Sequence, residues 1–216
     1  MQQVTATRSE LLARRARIAL AAQGRDVLKQ KRDSLMAEFR ATVDVAVTGS
    51  GALDEAAAEG RRALAAAEAG DGPEAVRSAA LARPGEITLT TRAVSVMGVR
   101  IADIRHEPLG RPRSARGYSL AGSSPRLDRV AEQFEAELAL LLDLATVELR
   151  LRRLADEIGS TTRRINALES VVLPRLERER DQIRSILDER ERQDRFRLKR
   201  FATRRAQRAE AGEVLR

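Results

Sequence analysis

Apolar residues recur along the second half of the chain at alternating steps of three and four residues. Charged residues fill most of the positions between them. A repeat of this kind, sustained over many heptads, is typical of a coiled-coil helix. The predicted apolar stripe consists of Leu127, Val130, Phe134, Leu138, Leu141, Leu144, Leu151, Leu154, Ile158, Ile165, Leu168, Val172, Ile183 and either Ile186 or Leu187.

The start of this helix is marked by Ser123, Ser124 and Pro125, which supply an N-cap and a first-turn proline. A helix of about 80 residues would measure roughly 120 Å at 1.5 Å per residue, and one this long needs a partner to cover its stripe. The N-terminal part supplies that partner after a cap at Thr7 or Ser9. Its noisier seven-residue pattern comprises Leu11, Ile18, Ala21, Leu28, Leu35 and Phe39.

Two places interrupt the helical patterns. Gly49-Ser50-Gly51 places two glycines within three residues, which costs about 2 kcal/mol relative to alanine, so we expect a kink or short break there. Pro174 removes the backbone bond to the carbonyl of Ser170 at a cost of about 3 kcal/mol. The sequence therefore predicts a kink in the second long helix at Pro174.

The middle of the chain has a different pattern. Asp71-Gly72-Pro73 ends the first helix and starts a short one, which runs to about Ala82 and is stopped by Pro84-Gly85. Residues 86–101 are β-branched with a local period of two, which predicts a β-hairpin at Ile87–Ile104. Residues 105–124 lack an apolar period and are predicted to be a loop. The hairpin is centred on Val94, Val96, Met97, Gly98, Val99 and Ile101, with its turn at Met97-Gly98.

The predicted fold is mainly α, a long antiparallel two-helix coiled coil. Residues 1–70 form the N-terminal coiled-coil helix, 71–125 a small central head with the short helix, hairpin and loop, and 126–216 the C-terminal helix. The head is expected at the closed end of the coil, far from the chain ends. The two chain ends are expected together at the open end.

Composition removes most enzyme classes. Cysteine and tryptophan are absent, there is one histidine, and aromatic residues make up 2% of the chain. Thiol chemistry, disulfides, zinc clusters and multi-histidine sites are therefore excluded, and no glycine-rich segment has the spacing of a phosphate-binding loop. We predict no catalytic residue, cofactor or metal, and a solvent-exposed surface position for His106. No apolar run is long enough to span a membrane, and the first residues lack an export signal, which favours the cytosol.

The net charge of +8 is concentrated toward the two ends, because residues 1–32 and 195–216 each carry +6. If the ends lie side by side, they form one strongly positive tip that seeks an acidic surface. Nucleic acid, anionic lipid and an acidic protein cavity all remain possible targets, although aromatic residues for base stacking are missing. This basic tip is defined here as Arg8, Arg14, Arg15, Arg25, Lys29, Arg197, Lys199, Arg200, Arg204 and Arg205.

Long ordered strings of the chain resemble a known family. Thr162–Pro174 and Leu187–Arg200 closely resemble the C-terminal helix of the D subunit of the V-type (archaeal-type) ATP synthase. Thr5–Arg8, Gly24 and Leu28–Leu35 with Phe39 resemble its first helix, and Val94–Ile101 its central hairpin. Two departures concern local helix geometry: Ala6 stands where a proline is usual, and Gly49-Ser50-Gly51 interrupts a normally continuous helix.

This resemblance implies a non-catalytic rotor shaft that couples proton or sodium transport to ATP synthesis or hydrolysis. It implies that the basic tip enters a hexamer of catalytic A and non-catalytic B subunits. The F subunit would share the stalk, and the other end would rest on the C subunit above the membrane ring, at its cytoplasmic side and without insertion into it. It implies a hetero-oligomer that binds no nucleic acid. The alternative is a free-standing coiled-coil adaptor that binds nucleic acid or anionic lipid through the basic tip.

Overall fold

The computed structural model describes residues 6–82, 86–119 and 123–213, with side chains described as far as residue 205. Helices account for 80% of the structure, as the coiled-coil prediction requires. The predicted helix stop at Pro84-Gly85 lies outside the described residues, as does Thr5. In chain order the elements are α1 (Arg8–Asp71), α2 (Pro73–Ala80), β1 (Leu89–Val96), β2 (Val99–His106), a 3₁₀ turn (Arg113–Ala115), α3 (Pro125–Ala167), a π-helix (Leu168–Val172) and α4 (Leu173–Glu213).

The chain divides into two compact units. The first contains residues 1–30 and 161–216, and the second contains residues 31–160. In the second unit α1 packs on α3 in the antiparallel sense, since Lys31 pairs with Glu157 and Asp71 with Arg126. In the first unit α1 packs on α4 in the same sense, which confirms the predicted pairing of the two long helices.

The β-hairpin is built around a two-residue turn, as predicted. Val96 is the register partner of Val99, and the two residues between them, Met97 and Gly98, have φ values of 52° and 81°. Positive φ at both central positions gives a turn whose twist matches the two strands. Glycine adopts such a conformation freely, whereas methionine does so at a cost of about 1–2 kcal/mol.

The hairpin lies along the helices and not at the closed end, so that part of the prediction was wrong. Val99 and Ile101 join a buried cluster with Leu35 of α1 and Leu154 of α3. Along α1, Leu35 lies roughly 50 Å from Asp71 at 1.5 Å per residue. Two apolar side chains on one strand face need an apolar surface to cover them, and the helix pair offers it at these positions.

Helix α1 is continuous from Arg8 to Asp71 across 64 residues, so the expected break at Gly49-Ser50-Gly51 was wrong. A side chain built at Gly49 would touch Leu144 of α3 at 3.4 Å, and one at Gly60 would come within 3.2 Å of Glu137. At these two positions α1 therefore lies close against α3. Packing against α3, together with the Ala-rich sequence that follows, outweighs the low helix propensity of glycine.

The interruption near Pro174 takes the form of a five-residue π-helix, Leu168–Val172. Before it the inward positions are Thr161, Ile165 and Leu168, and the step from Leu168 to the next buried residue, Leu173, is five. The buried stripe then continues one residue later than the repeat of threes and fours predicts. Val172, predicted to lie in the stripe, is 37% exposed, while Leu173 is 8% exposed.

Among the described residues, no helix combines the length and the apolarity that are needed to span a bilayer. Charged residues recur at short intervals along the longest helices, so their apolar runs are short.

Candidate interaction surface

The two ends of the helix pair lie side by side in the first unit. Arg8 at the start of α1 donates a 2.6 Å hydrogen bond to Glu191 of α4, and Arg190 donates to the carbonyl of Ala6 at 3.2 Å. The hydrogen bond from Arg8 lowers the pKa of Glu191 and so keeps the carboxylate ionised. The basic segments at the two chain ends are thus brought to one level of the coil.

Four N-terminal cations of the basic tip are engaged inside the chain. Arg14 lies 3.2 Å from the carboxylate of Glu179 and 3.0 Å from that of Glu10. Lys29 lies 2.6 Å from Glu169, and Arg25 lies 3.9 Å from the same carboxylate. Like Arg8, these residues hold α1 against its partner helix. Carboxylates of the same chain therefore compensate most of their charge.

The C-terminal cations of the basic tip are placed differently. Arg197, Lys199, Arg200, Arg204 and Arg205 are exposed on α4, beyond the level at which Arg8 contacts Glu191. Among the side chains that the structure describes, only Arg197 of these five has a carboxylate within 4.0 Å, namely Asp194 at that limit. We call residues 195–205 the α4 extension; its apolar residues are exposed as well, Phe196 by 68% and Leu198 and Phe201 by 69%.

The structure therefore separates ten residues that the sequence grouped together. Arg15 is also exposed, with no carboxylate within 4.0 Å among the described side chains, and stands apart from the other N-terminal members. The charge count along the chain could not reveal this division, because it depends on which acids of the opposite helices face α1. Glu169 of the π-helix and Glu179 and Glu191 of α4 do so, spaced by ten and twelve residues along the chain.

A second polar cluster, which the sequence analysis missed, attaches the loop before α3 to that helix. The Arg116 side chain is 4% exposed and lies 3.1 Å from Glu135 and 3.4 Å from Asp128. Tyr118 donates a 2.8 Å hydrogen bond to Asp128, and the more exposed Arg113 lies 3.0 Å from it. The loop carries no apolar periodicity, so only its arginines hinted that it is ordered by charge.

Burial and hydrogen bonding shift two groups of this cluster. Burial lowers the pKa of Arg116, but its hydrogen bonds with Glu135 and Tyr118 outweigh that effect and raise it overall. Burial raises the pKa of Tyr118, and the hydrogen bond to Asp128 raises it further. Arg116 is therefore a permanent cation and Tyr118 a neutral donor at physiological pH.

The start of α3 is capped as predicted. Ser124 Oγ accepts hydrogen bonds from the backbone N–H groups of Arg126 at 3.2 Å and Leu127 at 3.4 Å. Its own hydroxyl donates to the carboxylate of Asp71, the last residue of α1, which Arg126 also contacts. The end of α1 and the start of α3 are joined directly.

His106 is not the solvent-exposed residue that was expected. Its side chain is 16% exposed, with Nε2 3.4 Å from Asp143 of α3 and Nδ1 2.9 Å from the carbonyl of Glu107. The nearby Thr146 donates to the carbonyl of Ile104 at 3.4 Å, so the end of β2 is attached to α3. The residues next to His106 in the sequence do not predict this burial, because Asp143 is distant in the sequence.

Metal-ligating residues do not gather in the described part of the chain. There, no group of three or more His, Cys, Asp or Glu side chains could hold a metal ion. Apart from Asp143, which contacts His106, the acidic side chains named above are paired with arginine or lysine. The chemistry of these clusters is that of holding helices and loop together.

Comparison with known proteins is consistent along nearly the whole chain. The model of the ATP synthase D-subunit family matches residues 10–203. The D subunit of the V-type ATP synthase of Thermus thermophilus is 39% identical over 209 residues, covering 93% of this chain and 88% of that protein. The D subunit of the A-type ATP synthase of Thermococcus kodakarensis is 42% identical over 199 residues, covering 91% and 92% respectively.

Proposed function

The chain belongs to the ATP synthase D-subunit family, and from that premise we propose that it is the central rotor shaft of a V/A-type rotary ATP synthase. As a shaft it transmits torque between the ion-translocating membrane ring and the catalytic hexamer. Proton or sodium transport is thereby coupled to the synthesis or hydrolysis of ATP. The shaft itself performs no catalytic step.

The observation that carries this proposal is the continuity of α1 over 64 residues, packed in each unit against a second long helix. A shaft must resist bending and twisting, and two helices packed side by side resist both better than one helix alone. Ion pairs between the helices, such as Lys31 with Glu157 and Arg14 with Glu179, oppose sliding of one helix along the other.

The proposed partners follow from the same function. The α4 extension enters the cavity of the hexamer of catalytic A and non-catalytic B subunits. The F subunit accompanies the shaft, and the C subunit receives its other end above the membrane ring, on the cytoplasmic side. The assembly is a hetero-oligomer in which this chain inserts into no membrane and binds no nucleic acid.

Arginine suits the end of a shaft that turns inside a ring of repeated subunits. Its guanidinium stays charged at every working pH, and equivalent carboxylates recur around such a ring. The exposed cations of the α4 extension meet the ring, whereas Arg8, Arg14, Arg25 and Lys29 keep the helices together. The two sets can be tested separately because they lie on different segments.

Rotation is the property to test, and the absence of native cysteine makes the test specific. Arg204→Cys places a single thiol on the α4 extension, and a disulfide from it to a cysteine introduced in the hexamer cavity should stop ATP turnover. Reduction should restore it. Arg77→Cys on α2 is the matched control, expected to form no such cross-link. Full turnover of the cross-linked complex would show that the chain does not rotate.

The role of charge is tested by two groups of substitutions. Changing Arg197, Arg200, Arg204 and Arg205 to Gln should slow association with the hexamer, more so at low salt, because screening already masks exposed charges at high salt. Gln keeps a helix propensity close to that of Arg. The control changes Arg8 and Arg14 to Gln, which should lower helix stability more than it alters the salt dependence. An unchanged rate and salt slope in the fourfold variant would assign seating of the shaft to packing alone.

A further inference from the structure

We propose that the outer edge of β1 is a docking site for an extended segment of another subunit of the assembled complex. The segment adds to the hairpin as a third strand and carries a carboxylate opposite Arg92. The site lies in the unit formed by residues 31–160 and contains none of the residues of the basic tip.

The strand register identifies the backbone groups at this edge. Val96 and Val99 close the two-residue turn and therefore form a hydrogen-bonded pair, so the bonded positions of β1 alternate from Val96 back to Thr90. The N–H and C=O groups of the intervening residues point away from β2. Four residues present this row of donors and acceptors: Leu89, Thr91, Ala93 and Ser95.

Arg92 is the one charged residue of β1, and the other features that usually prevent strand addition are missing from this edge. Seven of the eight residues of β1 are exposed, and the strand contains no proline, lysine or bulge. Among the described residues the sheet has only these two strands, and no third element pairs with β1. An open, regular edge of this length is a ready template for another strand. Because an uncovered edge favours aggregation, its persistence in this chain is explained if assembly covers it.

Charge specifies the occupant. Asp103 is the register partner of Arg92. Its carboxylate nevertheless pairs with Arg105, with Oδ2 of Asp103 3.0 Å from Nε of Arg105. Among the described residues, neither Arg92 nor Arg100 has a carboxylate within 4.0 Å. The hairpin thus offers uncompensated positive charge beside a row of backbone groups, and an acidic extended segment satisfies both. A second copy of this hairpin would instead bring its own arginines to the edge.

The turn contributes an exposed apolar side chain. Met97 is 55% exposed. Its φ of 52° is unfavourable for a residue with a side chain. Asparagine or glycine would form the same turn at lower cost. A flexible apolar side chain held at this point, at the tip of the strand that forms the edge, fits a contact at the end of the added strand.

Hydrogen exchange of the full assembled complex tests the proposal. The outward amides of Thr91, Ala93 and Ser95 should exchange at least about tenfold more slowly in the complex than in the isolated chain, since strand pairing closes them. The amides of Arg92 and Val94, already bonded to β2, should change less. Equal exchange of the outward amides in both states would overturn the proposal.

A matched pair of variants tests the edge of β1 while keeping the hairpin. Ala93→Pro deletes an outward N–H and blocks pairing, whereas Ala93→Val keeps the N–H and its bond; proline is tolerated at such edge positions. Both should retain the helical circular dichroism of the parent. Ala93→Pro should abolish the slowed exchange of Thr91 and Ser95, and Ala93→Val should preserve it. Slowed exchange that survives Ala93→Pro would refute strand addition.

Self-association is distinguished by hydrogen exchange of the isolated chain at rising concentration, with sedimentation to measure its oligomeric state. The proposal expects no slowing of exchange at the edge as chain concentration rises; concentration-dependent slowing that Ala93→Pro removes would make a second copy the occupant and overturn it. Failure of the rotor proposal gives a different result. The complex cross-linked through Arg204→Cys would then keep full ATP turnover, while the exchange at β1 would still slow on assembly.

Discussion

Tyr118 and Asp128 connect the loop to the first turn of α3 through a single hydrogen bond of 2.8 Å, donated by the phenol. Asp128 is 4% exposed and also forms ion pairs with Arg113 and Arg116. One buried carboxylate is thus shared by three donors from a loop that has no apolar periodicity. Ion pairs and hydrogen bonds to this one carboxylate attach this part of the chain to α3.

Alkaline titration should report directly on this bond. Tyr118 is the only tyrosine and tryptophan is absent, so tyrosinate absorbance measures this group alone. Burial and the bond to Asp128 raise its pKa, so the midpoint should lie above the ordinary value near 10. The stability it contributes is complete below about pH 10 and is lost as pH rises through the folded pKa. An Asp128→Asn variant should bring the midpoint closer to 10; a parent midpoint at or below 10 would contradict the assignment.

Removing Arg116 should destabilise the second unit strongly. Arg116→Met keeps the length of the side chain but leaves the buried Asp128 and the half-buried Glu135 short of a cation, which costs roughly 3–5 kcal/mol in free energy of unfolding. Arg113→Met is the control, because that side chain is 61% exposed and its pair is worth under about 1 kcal/mol. Denaturant unfolding of both variants measures the difference. Equal losses would mean that burial of the cation is unimportant.

The glycines of α1 should respond oppositely to substitution. Gly51 has nothing within 4 Å of an added Cβ, so Gly51→Ala should raise the free energy of unfolding by about 1 kcal/mol through helix propensity. Gly60 faces Phe134 and Glu137, so Gly60→Leu should lower it by about 1–3 kcal/mol through overpacking. Thermal unfolding followed by circular dichroism distinguishes the two. Destabilisation by Gly51→Ala would indicate that the continuous helix needs flexibility there.

The π-helix should tolerate loss of one residue where ordinary helix does not. Deleting Val172 together with Pro174→Ala places Leu173 and Ile183 back on a regular repeat of threes and fours after Leu168. The free energy of unfolding should stay within about 1 kcal/mol of that of Pro174→Ala alone.

The control deletes Arg178 in the same Pro174→Ala background. Ile183 would then fall off the buried stripe, and removing a buried isoleucine from its site costs about 2–5 kcal/mol. If both deletions cost the same, the π-helix does not set the register of α4.

Local rules predicted a large part of this fold. The cap at Ser124 and Pro125 and the turn at Met97-Gly98 follow from a few neighbouring residues, and the structure has both. The pairing of the long helices follows from their apolar stripes. These features depend on chemistry that a short window of sequence contains.

Other features depend on which distant residues meet. The hairpin packs on Leu35 and Leu154, and its own sequence does not say where along the coil an apolar surface is open. Pro174 indicated an interruption, but its form, one residue absorbed in a π-helix, depends on keeping Leu173 and Ile183 buried together. The division of the basic tip likewise depends on acids of the opposite helix.

The lateral position of the hairpin has a consequence for any partner with repeated subunits. A bare pair of helices looks nearly alike when turned by half a revolution about its axis. Val99 and Ile101 attach the hairpin to one flank of the pair in the second unit, so that likeness is lost. Each subunit of a surrounding ring would therefore face a different contour of the chain at any one moment, and only a turn by the repeat angle of the ring would restore the same set of contacts.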